Sequence, residues 1–169
     1  MNDVSLLEMM NARELRSRLQ HRLLLEYKKP LVCLTLNIPG PIKVLPGIPK
    51  AFDQGRTRIE AALNDHLIPI QHVETIKEKT GYEAFYCLDA SPEFIKGLMI
   101  ELEDQNSLGR LYDIDVLRTD GSKVSREELG LSPRKCLICD EPAHACSRSR
   151  RHSVPELIDK ITEILEGSL

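Results

Sequence analysis

The 169-residue chain is long enough to bury one hydrophobic core without disulfide or metal staples. Its net charge of −3, with 41% hydrophobic and 29% charged residues, fits a globular domain and argues against general nucleic-acid binding. Aromatic residues are scarce, with three Phe, four Tyr and no Trp, so we do not expect a base-stacking surface or a large aromatic pocket.

Membrane association and disulfide bonding are also disfavoured. No apolar run approaches the roughly 20 residues that cross a bilayer, and the start of the chain lacks the basic and apolar regions of a signal peptide. Three of the five Cys fall within eleven residues. We therefore expect a cytoplasmic protein without a membrane partner, whose clustered cysteines bind metal or stay reduced.

The first helix and the first strand have clear signals. Ser5 begins a capping-box pattern ahead of a helix over residues 6–27. Four leucines form its predicted buried stripe: Leu15, Leu19, Leu23 and Leu24. The arginines of this helix are interpreted as a solvated face. Residues 31–38 are apolar almost throughout, which predicts a central strand covered on both faces.

A stiff turn, Pro39-Gly40-Pro41, follows this strand. Gly40 would let the backbone approach a ligand and Lys43 would add a positive charge, so the turn suits a phosphate or diphosphate. A plain strand-to-helix turn explains the same residues equally well. Residues 51–66 have helical periodicity, and Arg56 on this helix either reaches a phosphate or is solvated.

Residues 70–77 and 83–88 alternate as strands and are predicted to pair as a hairpin. Ser91 then caps a helix that ends near Glu103.

Residues 111–117 are predicted to form a short buried strand that carries an Asp-x-Asp pair. Alternation along a strand places Asp113 and Asp115 on one face with Leu111 and Leu117. Two neighbouring carboxylates repel each other unless one is protonated or a cation lies between them. The pair therefore indicates metal-assisted phosphate chemistry, although a solvated edge strand or flanking turn would also explain it. Glu101 and Glu103, just upstream, are candidates for a third carboxylate.

The Cys-rich segment has the spacing of a zinc site. Cys136, Cys139, Cys146 and His152 would make a tetrahedral Cys₃His set, and His144 could replace His152. Free buried thiols are the alternative. Arg134 belongs to a basic patch in this segment, which suits a phosphorylated substrate or an acidic carrier protein, or is solvated.

These elements predict a single α/β (α+β) domain over residues 1–169, with a mixed four-stranded sheet covered by helices. The N-terminal helix occupies residues 1–28, and the Cys-rich segment with the final helix forms an appendage over residues 132–169. A nucleotidyltransferase-like fold is an analogy from the chemistry alone.

Three sequence blocks, taken together, resemble one known family. They are Pro30-Leu31-Val32 with residues 37–43, residues 108–116, and residues 133–139 with Cys146 and His152. Their order and spacing resemble the apo-citrate lyase phosphoribosyl-dephospho-CoA transferases, also called holo-citrate lyase synthases. The resemblance covers the chain from about Leu15 to its end.

The resemblance implies a nucleotidyltransferase-type reaction. The enzyme would move a phosphoribosyl-dephospho-CoA unit from 2′-(5″-triphosphoribosyl)-3′-dephospho-CoA to a Ser of the citrate lyase acyl-carrier (gamma) chain, releasing diphosphate. Asp113 and Asp115 would hold a divalent cation, with Mg²⁺ expected, or one of them would act as general base. The phosphate contacts would come from Lys43, Arg110 and Arg134, beside the Gly40 backbone. His152 is favoured over His144 as the fourth ligand of a structural Zn²⁺.

Two other functions remain open from the residues. A non-enzymatic α/β module, docking a partner protein through the Cys-rich element, would show neither divalent-ion dependence nor diphosphate release. An ordinary nucleotidyltransferase that uses a nucleoside triphosphate should carry a Gly-Ser signature shortly before its carboxylate pair. Here the Gly40 turn lies more than seventy residues before Asp113.

Overall fold

A computed structural model describes residues 3–169, which form five helices and one four-stranded sheet. The helices are α1 (Leu6–Tyr27), α2 (Ile48–Asp65), α3 (Pro92–Asp104), α4 (Ala143–Ser149) and α5 (Val154–Ser168). The strands are β1 (Leu31–Leu36), β2 (Ile70–Glu78), β3 (Gly81–Leu88) and β4 (Tyr112–Leu117). Short 3₁₀ turns cover Leu108–Leu111 and Glu127–Leu129. Within these residues, none of the helices combines the length and apolarity needed to span a membrane.

The strands lie in the order β2-β3-β1-β4, and every neighbouring pair is antiparallel. The α+β class is confirmed, but the prediction of a mixed sheet is wrong. The reason is that α2 connects β1 to β2 and α3 connects β3 to β4, and in each case the second strand lies two positions from the first in the sheet. Strands joined by a helix therefore point the same way but are separated by a third, antiparallel strand, as in a split β-α-β motif.

Hydrophobic side chains cover both faces of the sheet. On one face, β1, β3 and β4 pack against α2, α3 and α5 in the larger core, which includes Leu34, Tyr86 and Ile114. On the other face, Leu23 and Leu24 of α1 cover a smaller apolar cluster. The predicted placement of β1 in the sheet interior is therefore confirmed. Leu15 is 60% exposed instead of buried, because the N-terminal half of α1 passes over a polar cleft.

Three charged side chains satisfy the free edge of β4. Lys96 donates to the Ile114 carbonyl (2.9 Å), and Glu103 accepts from the Ile114 N–H (2.9 Å). Arg134 donates to the Tyr112 carbonyl (2.7 Å). Unpaired backbone groups at a covered sheet edge would be destabilising, which explains why Lys96 and Glu103 are buried. These contacts fix β4, and with it the direction of Asp113 and Asp115.

The turn before β4 requires a glycine at position 109. A Cβ atom there would clash with the Leu102 carbonyl oxygen and lie 2.8 Å from the Glu103 carbonyl oxygen. We expect Gly109→Ala to lower the free energy of unfolding by about 2–4 kcal/mol, because the helix C-terminus must shift. Gly97→Ala is the matched control, since an added Cβ there meets no atom within 4 Å.

Denaturant unfolding of both variants checks this expectation. Gly97→Ala should be neutral or stabilising by up to about 1 kcal/mol, because alanine favours the helical state. Equal midpoints for Gly109→Ala and wild type would show that the turn tolerates a side chain.

Candidate active site

A polar cleft of about 210 Å³ lies between the N-terminal half of α1 and one end of the sheet. Its floor combines side chains from three neighbouring strands. Thr35 of β1 pairs with Asp113 of β4, and the β1–β3 register places Glu83 on the other side of Thr35. The walls come from three parts of the chain. They are α1 with Met9, Arg13 and Arg16, the loop after β1 with Asn37, Ile38 and Lys43, and the β2–β3 turn with the start of β3, which contribute Thr80 and Tyr82.

Asp113 and Asp115 share the α1 side of β4, as predicted. The alternate residues Tyr112, Ile114 and Val116 all point into the larger core. Leu111 was predicted to share the aspartate face, and this is wrong, because it lies in a 3₁₀ turn and packs in that larger core.

The two carboxylates have different environments. Asp113 is exposed at the cleft, whereas Asp115 is half-buried and forms an ion pair with Lys123 (3.1 Å). Partial loss of hydration raises the pKa of Asp113, and the negative charges of Asp115 and Glu103 raise it further. Asp113 is therefore the carboxylate that lines the cleft, Asp115 lies beside it on the same face of β4, and a cation between them would stabilise the ionised form of Asp113.

Positive charges face these carboxylates across the cleft. The Lys43 amino group donates to the Ile38 carbonyl (2.8 Å) and lies near Arg13. Burial lowers the pKa of Lys43, and the charge of Arg13 lowers it further. Arg16 forms an ion pair with Glu83, with Nε and Oε1 2.7 Å apart. Within residues 3–169, neither Arg13 nor Lys43 forms an ion pair with a carboxylate. This arrangement can bind an anion.

A second cluster contains three cysteines and one histidine. The ligand atoms of Cys136, Cys139, Cys146 and His152 all lie within 4.8 Å of one another. Cys139 Sγ is 3.4 Å from both Cys146 Sγ and His152 Nε2. His144 is exposed on α4 and lies outside the cluster. The Cys₃His set predicted from spacing is thus assembled, and it can hold a metal such as zinc.

Hydrogen bonds around the cluster prepare a thiolate ligand and fix the segment. Burial alone would raise the pKa of Cys136, but hydrogen bonds from the Ile138 and Cys139 N–H groups and from the Cys146 and Cys139 thiols together lower it. Arg110 donates to the Lys135 and Cys136 carbonyls at 3.1 and 2.6 Å. The cluster is therefore attached directly to the turn that precedes β4.

The sequence profile of the apo-citrate lyase phosphoribosyl-dephospho-CoA transferases matches residues 4–168. The chain belongs to this family. A Streptococcus pyogenes protein named "probable apo-citrate lyase phosphoribosyl-dephospho-CoA transferase" is 40% identical over 168 residues, covering 97% of this chain and 86% of the relative. A Vibrio cholerae protein of the same name is 37% identical over 162 residues, covering 95% and 91%.

A third relative is longer. The Haemophilus influenzae protein CitXG is 35% identical over 169 residues, which are 97% of this chain but 35% of the relative. Membership of the transferase family confirms the identification made from the three sequence blocks, and the non-enzymatic module is not favoured.

The family blocks form the two assembled sites. Residues 37–43 follow β1 and place Lys43 at the cleft, while residues 108–116 form the turn and β4 with Asp113. Residues 133–139 with Cys146 and His152 form the Cys₃His cluster.

Other predicted site residues lie outside the cleft lining. Arg56 donates to the Tyr86 hydroxyl (3.1 Å) on the opposite face of the sheet. Arg134 donates to the carbonyls of Tyr112 (2.7 Å) and Arg110 (2.8 Å), and Arg110 binds the Cys-rich segment. Gly40 has a φ of +82°, and its Cα faces Val154 closely enough that a Cβ would lie 3.0 Å from Val154 Cγ1.

The upstream carboxylates also lie elsewhere. Glu103 is 2% exposed and forms an ion pair with Arg126 (2.7 Å), and Glu101 is on the surface. The carboxylate that joins the cleft is Glu83, which the sequence analysis missed.

Arg13 and Arg16 were missed as well, although helical spacing contains a signal for them. Arg16 precedes Leu23 by seven residues and Arg13 precedes Leu24 by eleven, so both lie on the side of α1 that carries these buried leucines. Both line the cleft, Arg16 as a half-buried side chain and Arg13 as an exposed one, so the interpretation as a solvated face is wrong for Arg16 alone.

Proposed function

We propose that this chain transfers the 2′-(5″-phosphoribosyl)-3′-dephospho-CoA group from 2′-(5″-triphosphoribosyl)-3′-dephospho-CoA to a Ser of the citrate lyase acyl-carrier (gamma) chain, releasing diphosphate. Family membership supports the transferred group and the acceptor. The observation that carries the chemistry is the cleft in which Asp113 faces Lys43 and Arg13. It combines a carboxylate for the attacking hydroxyl with cations for a polyphosphate.

The reaction forms one bond and breaks another at the same phosphorus. The Ser oxygen of the carrier attacks the ribose-linked phosphorus, and the bond from that phosphorus to the diphosphate oxygen breaks. The Ser proton passes to the Asp113 carboxylate, and the diphosphate takes the bonding electrons. Asp113 lines the cleft and is the carboxylate that we place at the reacting atoms.

The Asp113–Asp115 pair fits a divalent cation, for which we propose Mg²⁺. Both are hard oxygen donors on one face of β4, and the raised pKa of Asp113 reflects repulsion that a cation would relieve. When bound, Mg²⁺ would neutralise charge on the phosphate oxygens. Lys43 is held by the Ile38 carbonyl and directs its remaining donors at the phosphates.

We assign a structural role to the Cys₃His cluster and propose that it holds Zn²⁺. Four protein ligands would complete a tetrahedral site and leave no open position for chemistry. The metal would order the basic segment that contains Arg134, which the sequence analysis associates with the acidic carrier.

Intact-mass analysis of the apo carrier tests the reaction. After incubation with this protein, the triphosphoribosyl-dephospho-CoA precursor and Mg²⁺, the carrier should gain the mass of the prosthetic group. Omitting the precursor, or replacing the acceptor Ser of the carrier by Ala, should abolish the gain, and excess chelator should suppress it. An unmodified carrier in the complete mixture, with both proteins folded, would contradict the proposal.

A further inference from the structure

We infer that α1 supplies the subsite for the leaving diphosphate, with Arg13 and Arg16 binding its oxygens together with Lys43. The inference rests on the proposed transfer reaction and assigns a role to side chains that a plain amphipathic helix would leave in solvent. Glu83 is a positioning residue in this subsite, because it holds Arg16 by a hydrogen bond.

The location of the arginines is the first support. Arg13 and Arg16 lie one helical turn apart on the side of α1 that faces the sheet, and both line the cleft that contains Asp113. Farther along the same side of the helix, Leu23 is fully buried. The arginines are therefore held by a packed helix at the wall of the cleft that contains Asp113.

The charge balance of the cleft is the second support. Glu83 is 7% exposed and already accepts a hydrogen bond from Arg16. Arg13 and Lys43 line the same cleft, and in the described part of the chain neither has a carboxylate partner. Two like charges that face each other destabilise the site until an anion binds between them. A compact anion with several charges, such as diphosphate, matches this requirement.

The Arg16–Glu83 ion pair prepares a guanidinium for phosphate binding. Glu83 contacts Nε of Arg16 at 2.7 Å, and no other hydrogen bond within residues 3–169 uses the Arg16 side chain. Both terminal amino groups can therefore donate to one phosphate, the geometry in which arginine binds phosphate oxygens in pairs.

The direction of the reaction agrees with this subsite. In phosphoryl transfer the attacking and leaving oxygens lie roughly in line on opposite sides of phosphorus. Asp113 lies on the β4 side of the cleft, whereas Arg13 and Arg16 come from α1 and Lys43 from the loop after β1. A Ser that attacks beside Asp113 would thus expel the diphosphate toward the three cations.

Calorimetric titration of the full chain with inorganic diphosphate, without added Mg²⁺, tests the subsite. Arg13→Ala should raise the Kd for diphosphate at least about tenfold, since it removes charge-assisted hydrogen bonds. Arg18→Ala is the matched control, because Arg18 is 73% exposed on the same helix and pairs with Glu14. It should change the Kd less than about twofold.

Two Glu83 variants test the positioning role. Glu83→Gln keeps an oxygen that can accept from Arg16 and should bind diphosphate nearly as well as wild type. Glu83→Ala should weaken binding about as much as Arg13→Ala. A purely structural Glu83 would change the thermal midpoint of both variants and leave the Kd of the folded protein unaltered.

The outcomes separate this inference from the proposed function. If Arg13→Ala and Arg18→Ala weaken diphosphate binding equally, or if wild type does not bind diphosphate, the subsite is refuted even when the carrier is modified. If only Arg13→Ala weakens diphosphate binding, the subsite is supported. An unmodified carrier in the mass experiment would then contradict the proposed acceptor reaction and leave the subsite intact.

Discussion

Replacing Asp113 with Asn is expected to reduce transfer to the carrier by at least about 10³-fold while the protein stays folded. The substitution keeps the shape of the side chain but removes the negative charge that contacts the reacting atoms and the divalent cation. Asp115→Asn should give a comparable loss, because Asp115 is the second carboxylate on that face of β4. Initial rates of mass gain on the carrier measure both effects.

The stability of Asp113→Asn should not fall. The fold raises the pKa of Asp113, so the native state loses stability as the pH rises from the unfolded-state pKa through the higher native-state value. At neutral pH the ionised carboxylate is therefore destabilising, and Asn removes that charge. We expect a thermal midpoint equal to or above that of wild type, as is common where a functional site is strained.

A third Asp provides the control for this experiment. Asp159 is exposed on α5, and no hydrogen bond or ion pair within residues 3–169 involves its side chain. Asp159→Asn should keep the wild-type rate. Near-normal turnover in Asp113→Asn would refute a role for Asp113 in transfer. So would a slow variant whose thermal midpoint shows that it is largely unfolded under the assay conditions.

Local patterns identified the elements that carry the chemistry. The apolar run after Pro30 predicted β1, and period-two alternation predicted that Asp113 and Asp115 share a face. Cysteine spacing predicted the cluster, and the family blocks favoured His152 over His144. These features depend on neighbours within about fifteen residues, so the sequence contains enough information to place them.

Local patterns do not predict which strands become neighbours in the sheet. Glu83 reaches the cleft because β3 lies beside β1, and no local pattern specifies that neighbour. Glu103 was a candidate third carboxylate, but the sheet order makes β4 an edge strand, and Glu103 binds its free N–H. The mixed-sheet prediction failed for the same reason, since strand direction depends on which strands become neighbours.

The α1 arginines show how a local rule can mislead when the partner is unknown. Charged residues on an amphipathic helix usually face water, so the sequence predicts a buried stripe of leucines that includes Leu15 and Leu19. In the structure Leu19, Leu23 and Leu24 pack on the sheet and Leu15 is exposed, while the N-terminal half of the helix brings Arg13 and Arg16 to the cleft. Because a polar cleft lies under the N-terminal half of α1, arginines and not leucines occupy its sheet-facing positions there.

The zinc content of two histidine variants should differ completely. We expect wild type to contain one zinc per chain, His144→Ala to retain it, and His152→Ala to lose it. His152 Nε2 lies 3.4 Å from Cys139 Sγ, whereas His144 is exposed outside the cluster. Because metal binding stabilises only the folded ligand set, His152→Ala should lower the free energy of unfolding by at least about 2 kcal/mol.

Loss of zinc should also reduce transfer, although the cluster lies outside the cleft. Arg110 joins the Cys136 carbonyl to the turn before β4, and Arg134 joins the same segment to the Tyr112 carbonyl. When the segment loosens, β4 loses contacts that direct Asp113. Elemental analysis, calorimetric unfolding and carrier modification on both variants test this coupling. Zinc missing from wild type, or retained equally by His152→Ala, would refute the metal site. A fully active zinc-free protein would refute its link to the cleft.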